Sequence, residues 1–257
     1  MPPDGADPVI RAARAAPSAE RRPATAVVLP GSGSDDVFVR SAFAGPLRDA
    51  GIALVAPAPR RGRDVVAGYR AALDAALDRT DGPLLVGGVS LGAHVAVRWA
   101  ARTGLAEGRV AGLLLALPAW GGDPADAPAA LAARLTAAQV RGGGLAAAAG
   151  AARSGAPAWL ADELARAWAA HGDGLADARD AAAAEPGPSP ADLEGLDVPA
   201  GLVGLTGDAV HPLAEARRWA GLLPRAVLET STLDAFGADP AVLGRAAVSG
   251  WRRAQGR

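Results

Sequence analysis

The chain has 257 residues, a formal net charge of −1, basic residues that are all Arg, three His, and no Cys or Lys. That balance argues against sequence-blind nucleic-acid binding, which runs on surplus positive charge, and the lack of Cys removes disulfide frameworks, thiolate zinc sites and thiol nucleophiles. Half of the residues are hydrophobic, mostly through Ala, so the body is expected to fold around a core of largely small side chains.

Met1–Pro23 carries Arg11, Arg14, Arg21 and Arg22 among Pro and Ala. It lacks the apolar centre of a secretory signal and reads as a flexible N-terminal tail, residues 1–23, ahead of one domain over 24–257. From residue 24 onward, apolar runs and helical patterns alternate. Ala24–Leu29 predicts a strand, followed by the turn Pro30-Gly31-Ser32-Gly33-Ser34 and a helix to about Ala50 capped by Ser34 or Asp35. Ile52–Ala56 predicts the next strand, and Pro57–Arg63 the loop after it. Val66, Tyr69, Leu73 and Leu77 then recur at helical spacing, with Arg70 and Asp74 expected to pair on the other face. Leu84–Gly88 reads as a buried strand and Leu91–Ala101 as a helix. Val110–Leu117, Gly201–Leu205 and Ala226–Thr230 complete the apolar strands. Asp239-Pro240 opens a terminal helix that carries Leu243, Ala247 and Trp251 on one side.

Continuous apolar strands separated by helices predict an α/β protein with a mostly parallel sheet covered by helices on both faces. The rhythm fails over about 121–190, which is Ala-rich and helical in pattern. It is interrupted at Gly142-Gly143-Gly144 and at Ser154-Gly155-Ala156-Pro157, and carries an apolar stripe of Leu160, Leu164 and Trp168. This segment is expected to be a helical lid insertion lying over the sheet's edge. The strongest apolar stretches fall short of the ~18 residues of a spanning helix, so no membrane partner is expected and the protein reads as soluble and cytoplasmic.

Gly88-Val89-Ser90-Leu91-Gly92 is a G-x-S-x-G match between a buried strand and a helix. A nucleophile elbow needs that context: Ser sits on a sharp, strained turn, and the flanking glycines leave room for close backbone approach. The helix start also directs the Leu91 amide toward a developing oxyanion. Over roughly residues 24 to 253 the chain resembles the α/β-hydrolase fold family. Pro30-Gly31-Ser32-Gly33 stands where that family has an H-G-x-G-like loop, with Pro30 in place of His, and the match makes the Ser32 amide the second oxyanion donor. A dinucleotide fingerprint fits this loop poorly, because Gly31-x-Gly33 lacks the third glycine. The resemblance further implies that Asp208, in Thr206-Gly207-Asp208-Ala209-Val210-His211-Pro212, is the triad carboxylate. The residues before position 24 do not supply the family's two early strands, so a trimmed sheet of about six strands is expected.

The family's His belongs to the loop before the terminal helix, and Ser231–Asp239 contains none. Serine acyl transfer needs a base to take the hydroxyl proton and return it to the leaving group. His94 falls one turn into the elbow helix and reads as a core residue; His171 suits a helix C-terminus just before Gly172. His211, on the same strand-end rim as Ser90, is the remaining choice. Asp208 lies only three residues away, which makes Asp234 in the vacated loop a second candidate for orienting it.

Arg60 and Arg61 stand in a strand-end loop, where guanidinium forks suit a carboxylate or phosphate, and Trp120, Trp159 and Trp168 suit an acyl pocket beneath the insertion. The resulting expectation is a serine hydrolase acting on a small-molecule ester or thioester through an acyl-Ser90 intermediate, needing no metal or organic cofactor. The rival from another class is a non-catalytic binding protein of the same fold that has lost its base. Oligomeric state is not legible in the sequence.

Overall fold

A computed structural model describes residues 23–104 and 108–256. The expected tail therefore lies, but for Pro23, outside the described residues. The Val- and Leu-rich runs form β1 (Thr25–Leu29), β2 (Ala53–Val55), β3 (Leu84–Val89), β4 (Val110–Ala116), β5 (Ala200–Thr206) and β6 (Ala226–Thr232). These six strands make one sheet in the order β2-β1-β3-β4-β5-β6, and every pairing is parallel. The chain steps outward from β1 to β2 and then crosses back to β3. Beyond the carboxyl ends of β1 and β3 such a reversal opens a crevice, the usual place for a site in an open parallel sheet. The Gly31 turn and Ser90 leave those two strand ends.

The interleaved helices are α1 (Asp36–Asp49), α2 (Val65–Arg79), α3 (Leu91–Trp99), α4 (Pro128–Gly155), α5 (Ala158–His171), α6 (Leu175–Ala184), α7 (Pro190–Glu194), α8 (Leu213–Leu222), α9 (Leu233–Ala238) and α10 (Ala241–Ala254). Alternation along β1 sends Val27 and Leu29 to a core shared with α2, α3 and Trp219 of α8. Ala26 and Val28 face the opposite core, built with Phe43 and Leu47 of α1 and with Leu243, Ala247 and Trp251 of α10. The expected cap of α1 is Asp35, whose carboxylate accepts from the Phe38 amide at 3.0 Å.

The expected Arg70–Asp74 pair does not form. Arg70 instead donates to Glu185 beyond α6, and Asp74 accepts from the Trp99 indole at 2.6 Å. A partner on another element wins here because Glu185, which also accepts from Arg98, is more buried than an i,i+4 surface pair would be. The Ala-rich segment leaves the sheet between β4 and β5, which are neighbours. It therefore stands over the strands' carboxyl ends, not along an outer edge. The Gly142–Gly144 run interrupts α4 as expected: Gly144 takes the non-helical φ 74° and ψ −179°, so two helical pieces meet there at a kink. Among the described residues no helix is long and apolar enough to cross a membrane.

Candidate active site

Ser90 occupies the turn between β3 and α3 with φ 53° and ψ −116°, a conformation that costs free energy for any residue with a side chain. Packing enforces it. A Cβ on Gly88 would lie 2.3 Å from the Gly92 carbonyl carbon, and one on Gly92 would lie 2.3 Å from the Leu29 carbonyl oxygen. The turn thus fits only because β1, β3 and α3 approach backbone to backbone. The Ser90 amide donates to Ala116 of β4 at 2.9 Å, which fixes the strand end. Leu91 opens α3, so its amide has no acceptor within the helix and is free for an oxyanion.

The second half of the site is one short loop after β5. Gly207, at φ 80°, turns the chain, and the Asp208 carboxylate then folds the next residues around itself. Its Oδ1 accepts from the amides of Val210 at 2.8 Å and His211 at 3.0 Å. Its Oδ2 stands 3.0 Å from His211 Nδ1, and His211 Nε2 stands 3.0 Å from Ser90 Oγ. An ionised carboxylate only accepts, so Nδ1 carries the proton of the neutral ring and Nε2 is left to accept from the Ser90 hydroxyl. Burial alone would raise the Asp208 pKa. The hydrogen bond from His211, its attraction whenever the ring is protonated, and the two backbone amides outweigh it, so Asp208 is held below the ordinary carboxylate range. The three-residue spacing is therefore no obstacle to orientation, because the same carboxylate caps the turn and holds the ring. Asp234 is exposed in the first turn of α9 and does not take this part.

The other two histidines are structural. His94 is fully buried, and its Nε2 accepts from the amides of Ala119 and Trp120 at 3.2 and 3.3 Å. Burial, followed by the charges of His211 and Arg98, pushes its pKa down to about 3. It pins the segment that carries Trp120 toward the cavity. His171 ends α5 as its position suggested, with Nε2 3.0 Å from the Ser34 carbonyl, to which it donates.

The loop holding Ser32 is gripped from above by the helical segment. Besides His171, Arg166 of α5 makes a two-pronged pair with buried Asp35, at 2.7 and 2.8 Å. From below, the Tyr69 hydroxyl approaches the Gly31 carbonyl at 3.4 Å. Ser90, Ser32, Asp208 and His211 line a cavity of about 590 Å³, within the range of small-molecule sites. Trp120, Trp159 and Trp168 line it as expected, and Phe236 of α9 closes it edge-on against Phe38 and Trp159.

Arg60 and Arg61 are not brought to this cavity. Both are exposed; the Arg60 stem packs over Gly68 and Arg61 lies beside Gly174. The cavity's guanidinium comes from Arg179 of α6, which sequence reasoning missed. Its signal was available. Arg179 sits on the face of α6 shared by Leu175, Ala176, Ala182 and Ala183, all buried, and a charge on an otherwise apolar stripe calls for a partner. Among the described residues there is no group of three or more side chains suited to hold a metal ion.

No family model matches the chain, and no curated protein matches it. Solved structures do. A protein described as a non-heme bromoperoxidase from Mycobacterium tuberculosis superposes with a TM-score of 0.66 at 18% identity, over 90% of this chain and 92% of that one. This protein has the α/β-hydrolase fold. An esterase from Thermogutta terrifontis gives a TM-score of 0.57 at 21% identity, covering 81% of this chain and 80% of its own. An enol-lactonase from Burkholderia xenovorans gives 0.59 at 18% identity, covering 93% and 90%. Within this α/β-hydrolase fold, the six strands from β1 to β6 and the helices around them place Ser90 after β3 and Asp208 after β5. His211 shares the Asp208 loop, and the loop after β6 holds α9.

Proposed function

We propose that this protein is a serine hydrolase that cleaves a small carboxylic ester or thioester. The observation that carries the reading is the unbroken chain from Asp208 through His211 to Ser90, each link 3.0 Å. In the forward step Ser90 Oγ attacks the substrate carbonyl carbon while His211 Nε2 takes the hydroxyl proton. Asp208 stays ionised and stabilises the imidazolium through the proton on Nδ1. Charge gathers on the former carbonyl oxygen, where the amides of Leu91 and Ser32 donate to it. Collapse expels the alkoxide or thiolate, protonated by His211, and leaves acyl-Ser90. Water deprotonated by His211 then attacks the acyl carbonyl, releasing the acid and restoring Ser90.

The helical segment over residues 121–190 acts as a lid that keeps bulk water from the acyl group. The rival reading, a binding protein without a base, draws on the missing His after β6. That feature loses its force when a His on the neighbouring loop stands at hydrogen-bond distance from the nucleophile. Two of the structural neighbours, an esterase and an enol-lactonase by their descriptions, are consistent with the proposed chemistry.

A fluorophosphonate probe tests the reading, because it phosphonylates only an activated serine. Wild type is expected to be labelled at Ser90, located by peptide mass spectrometry, and Ser90→Ala to stay unlabelled. A folded wild type that resists the probe while an ordinary esterase reacts would overturn the hydrolase reading.

A further inference from the structure

The end of the cavity beside the Ser32 loop is rich in donors and poor in acceptors. Arg179 Nη1 donates to Ser32 Oγ at 3.1 Å and Nη2 to Thr136 Oγ1 at 3.3 Å. Arg179 Nε is buried with no hydrogen-bond partner among the described residues, and so are Trp168 Nε1 and Ser34 Oγ. Two of these side chains meet beside Gly33, where an added Cβ would lie 2.7 Å from Arg179 Nη1 and 3.1 Å from Trp168 Nε1. Trp168 is 4% exposed, yet its side chain and those of Ser34 and Arg179 all line the cavity.

Charge follows the same pattern. Four ionisable side chains line the cavity, and three of them are spoken for: Glu163 by Arg166, and Asp208 and His211 by each other. Arg179 has no carboxylate partner among the described residues. Asp177 and Asp180, the acids flanking it in sequence, both pair with Arg141 instead. Desolvation with nothing to offset it pulls the Arg179 pKa down to about 10. A buried guanidinium is ordinarily paired, since uncompensated charge in a low-dielectric site is costly. The donor surplus is of the kind that an anion completes.

We infer that the substrate carries a carboxylate in addition to its scissile ester, and that Arg179 binds it with help from the Trp168 indole. This rests on the hydrolase reading for what happens at Ser90, but not for the binding itself. A guanidinium offers a planar fork matched to a carboxylate, and each terminal nitrogen of Arg179 retains a second N–H beyond the bonds it makes. Thr136 and Ser32 fix the fork in place. Most of the remaining wall is apolar, with Leu117, Leu160, Leu164 and small Ala side chains beside Gln139 and the Arg166-paired Glu163, so the spacer between carboxylate and ester is hydrocarbon. Half-esters of aliphatic dicarboxylic acids have this chemistry.

The test measures binding without turnover. Ser90→Ala protein is titrated calorimetrically with the monoethyl half-esters of succinic, adipic and suberic acids, and with ethyl butyrate, hexanoate and octanoate as neutral counterparts. At least one half-ester is expected to bind about 10- to 100-fold tighter than its counterpart, the span of a charge-assisted hydrogen-bonded contact. Adding Arg179→Met should remove that preference. Trp168→Phe, which keeps a ring and loses the donor, should reduce it by a smaller factor, with melting temperature reporting that each variant folds. Equal affinity for the charged and neutral members of every pair would overturn the inference, as would a preference that survives Arg179→Met.

Phosphonylation of Ser90 in the wild type is read separately. Labelling without half-ester preference leaves the hydrolase reading standing and removes this one. Half-ester preference in a protein that cannot be labelled does the reverse.

Discussion

The nucleophile turn and the acid–base loop are built in opposite ways. Ser90 is held by tertiary packing: Gly88 and Gly92 admit no side chain because three separate elements meet there at backbone contact. Asp208 and His211 are held by bonds within four consecutive residues, on a loop whose side chains retain 10% and 18% of their exposure. The first arrangement ties catalysis to the integrity of the core. The second is nearly independent of it, since the bonds that hold the proposed base lie within its own loop. The loop after β6, which contains no His, forms α9, and its Phe236 lines the cavity.

Substitutions separate the two regions by what they damage. The largest effect belongs to Gly92→Val. Its branched side chain would have to occupy space already filled by the Leu29 and Pro30 carbonyls, so the variant should lose folded protein as well as activity, read by circular dichroism and soluble yield. His211→Ala should lower kcat/KM by roughly 10³-fold while changing stability by less than about 1 kcal/mol, since it removes a side chain held by bonds within its own loop. If His211→Ala unfolded the protein, or Gly92→Val left it intact, the contrast would fail.

Asp208→Asn comes next, with an expected loss of about 10²- to 10⁴-fold from a misoriented ring and an unstabilised imidazolium. Because the two residues act as a unit, combining it with His211→Ala should cost little more than His211→Ala alone. Independent, multiplying losses would show that Asp208 serves some other purpose than holding His211.

The mildest test concerns stability against pH and reports on the elbow helix. His94 in the folded chain has a pKa of about 3, well below its ordinary value near 6.5. Between those values the unfolded chain binds a proton that the folded chain does not. Stability is unaffected above pH 6.5 and declines as pH falls through the window. His94→Gln should flatten the slope of denaturation free energy between pH 6 and 4. An unchanged slope would mean that His94 takes up a proton in the folded state.

The strands and the elbow were legible because both rest on local pattern: continuous apolar runs, and a G-x-S-x-G placed between a strand and a helix. His211 was legible only by elimination, from three histidines and one vacated loop. Its geometry was not, since nothing in D-x-x-H spacing announces that a carboxylate will cap its own turn and hold the ring with its second oxygen. The Arg60 and Arg61 expectation failed because loop proximity in sequence does not say which side of a rim a side chain takes. Arg70 illustrates the same limit in a helix, where Glu185, 115 residues away, outcompetes Asp74. Arg179 was visible as a charge on the apolar face of α6, but what it faces emerges only where α4 and α6 meet over the Ser32 loop.

The proposed base for Ser90 is His211, on the loop after β5. The most direct measurement is the rate of Ser90 phosphonylation in wild type and His211→Ala, each with and without added imidazole. His211→Ala should be labelled on the order of 10³-fold more slowly, and imidazole should recover part of that loss while leaving wild type unchanged. Labelling of His211→Ala at the wild-type rate would contradict it.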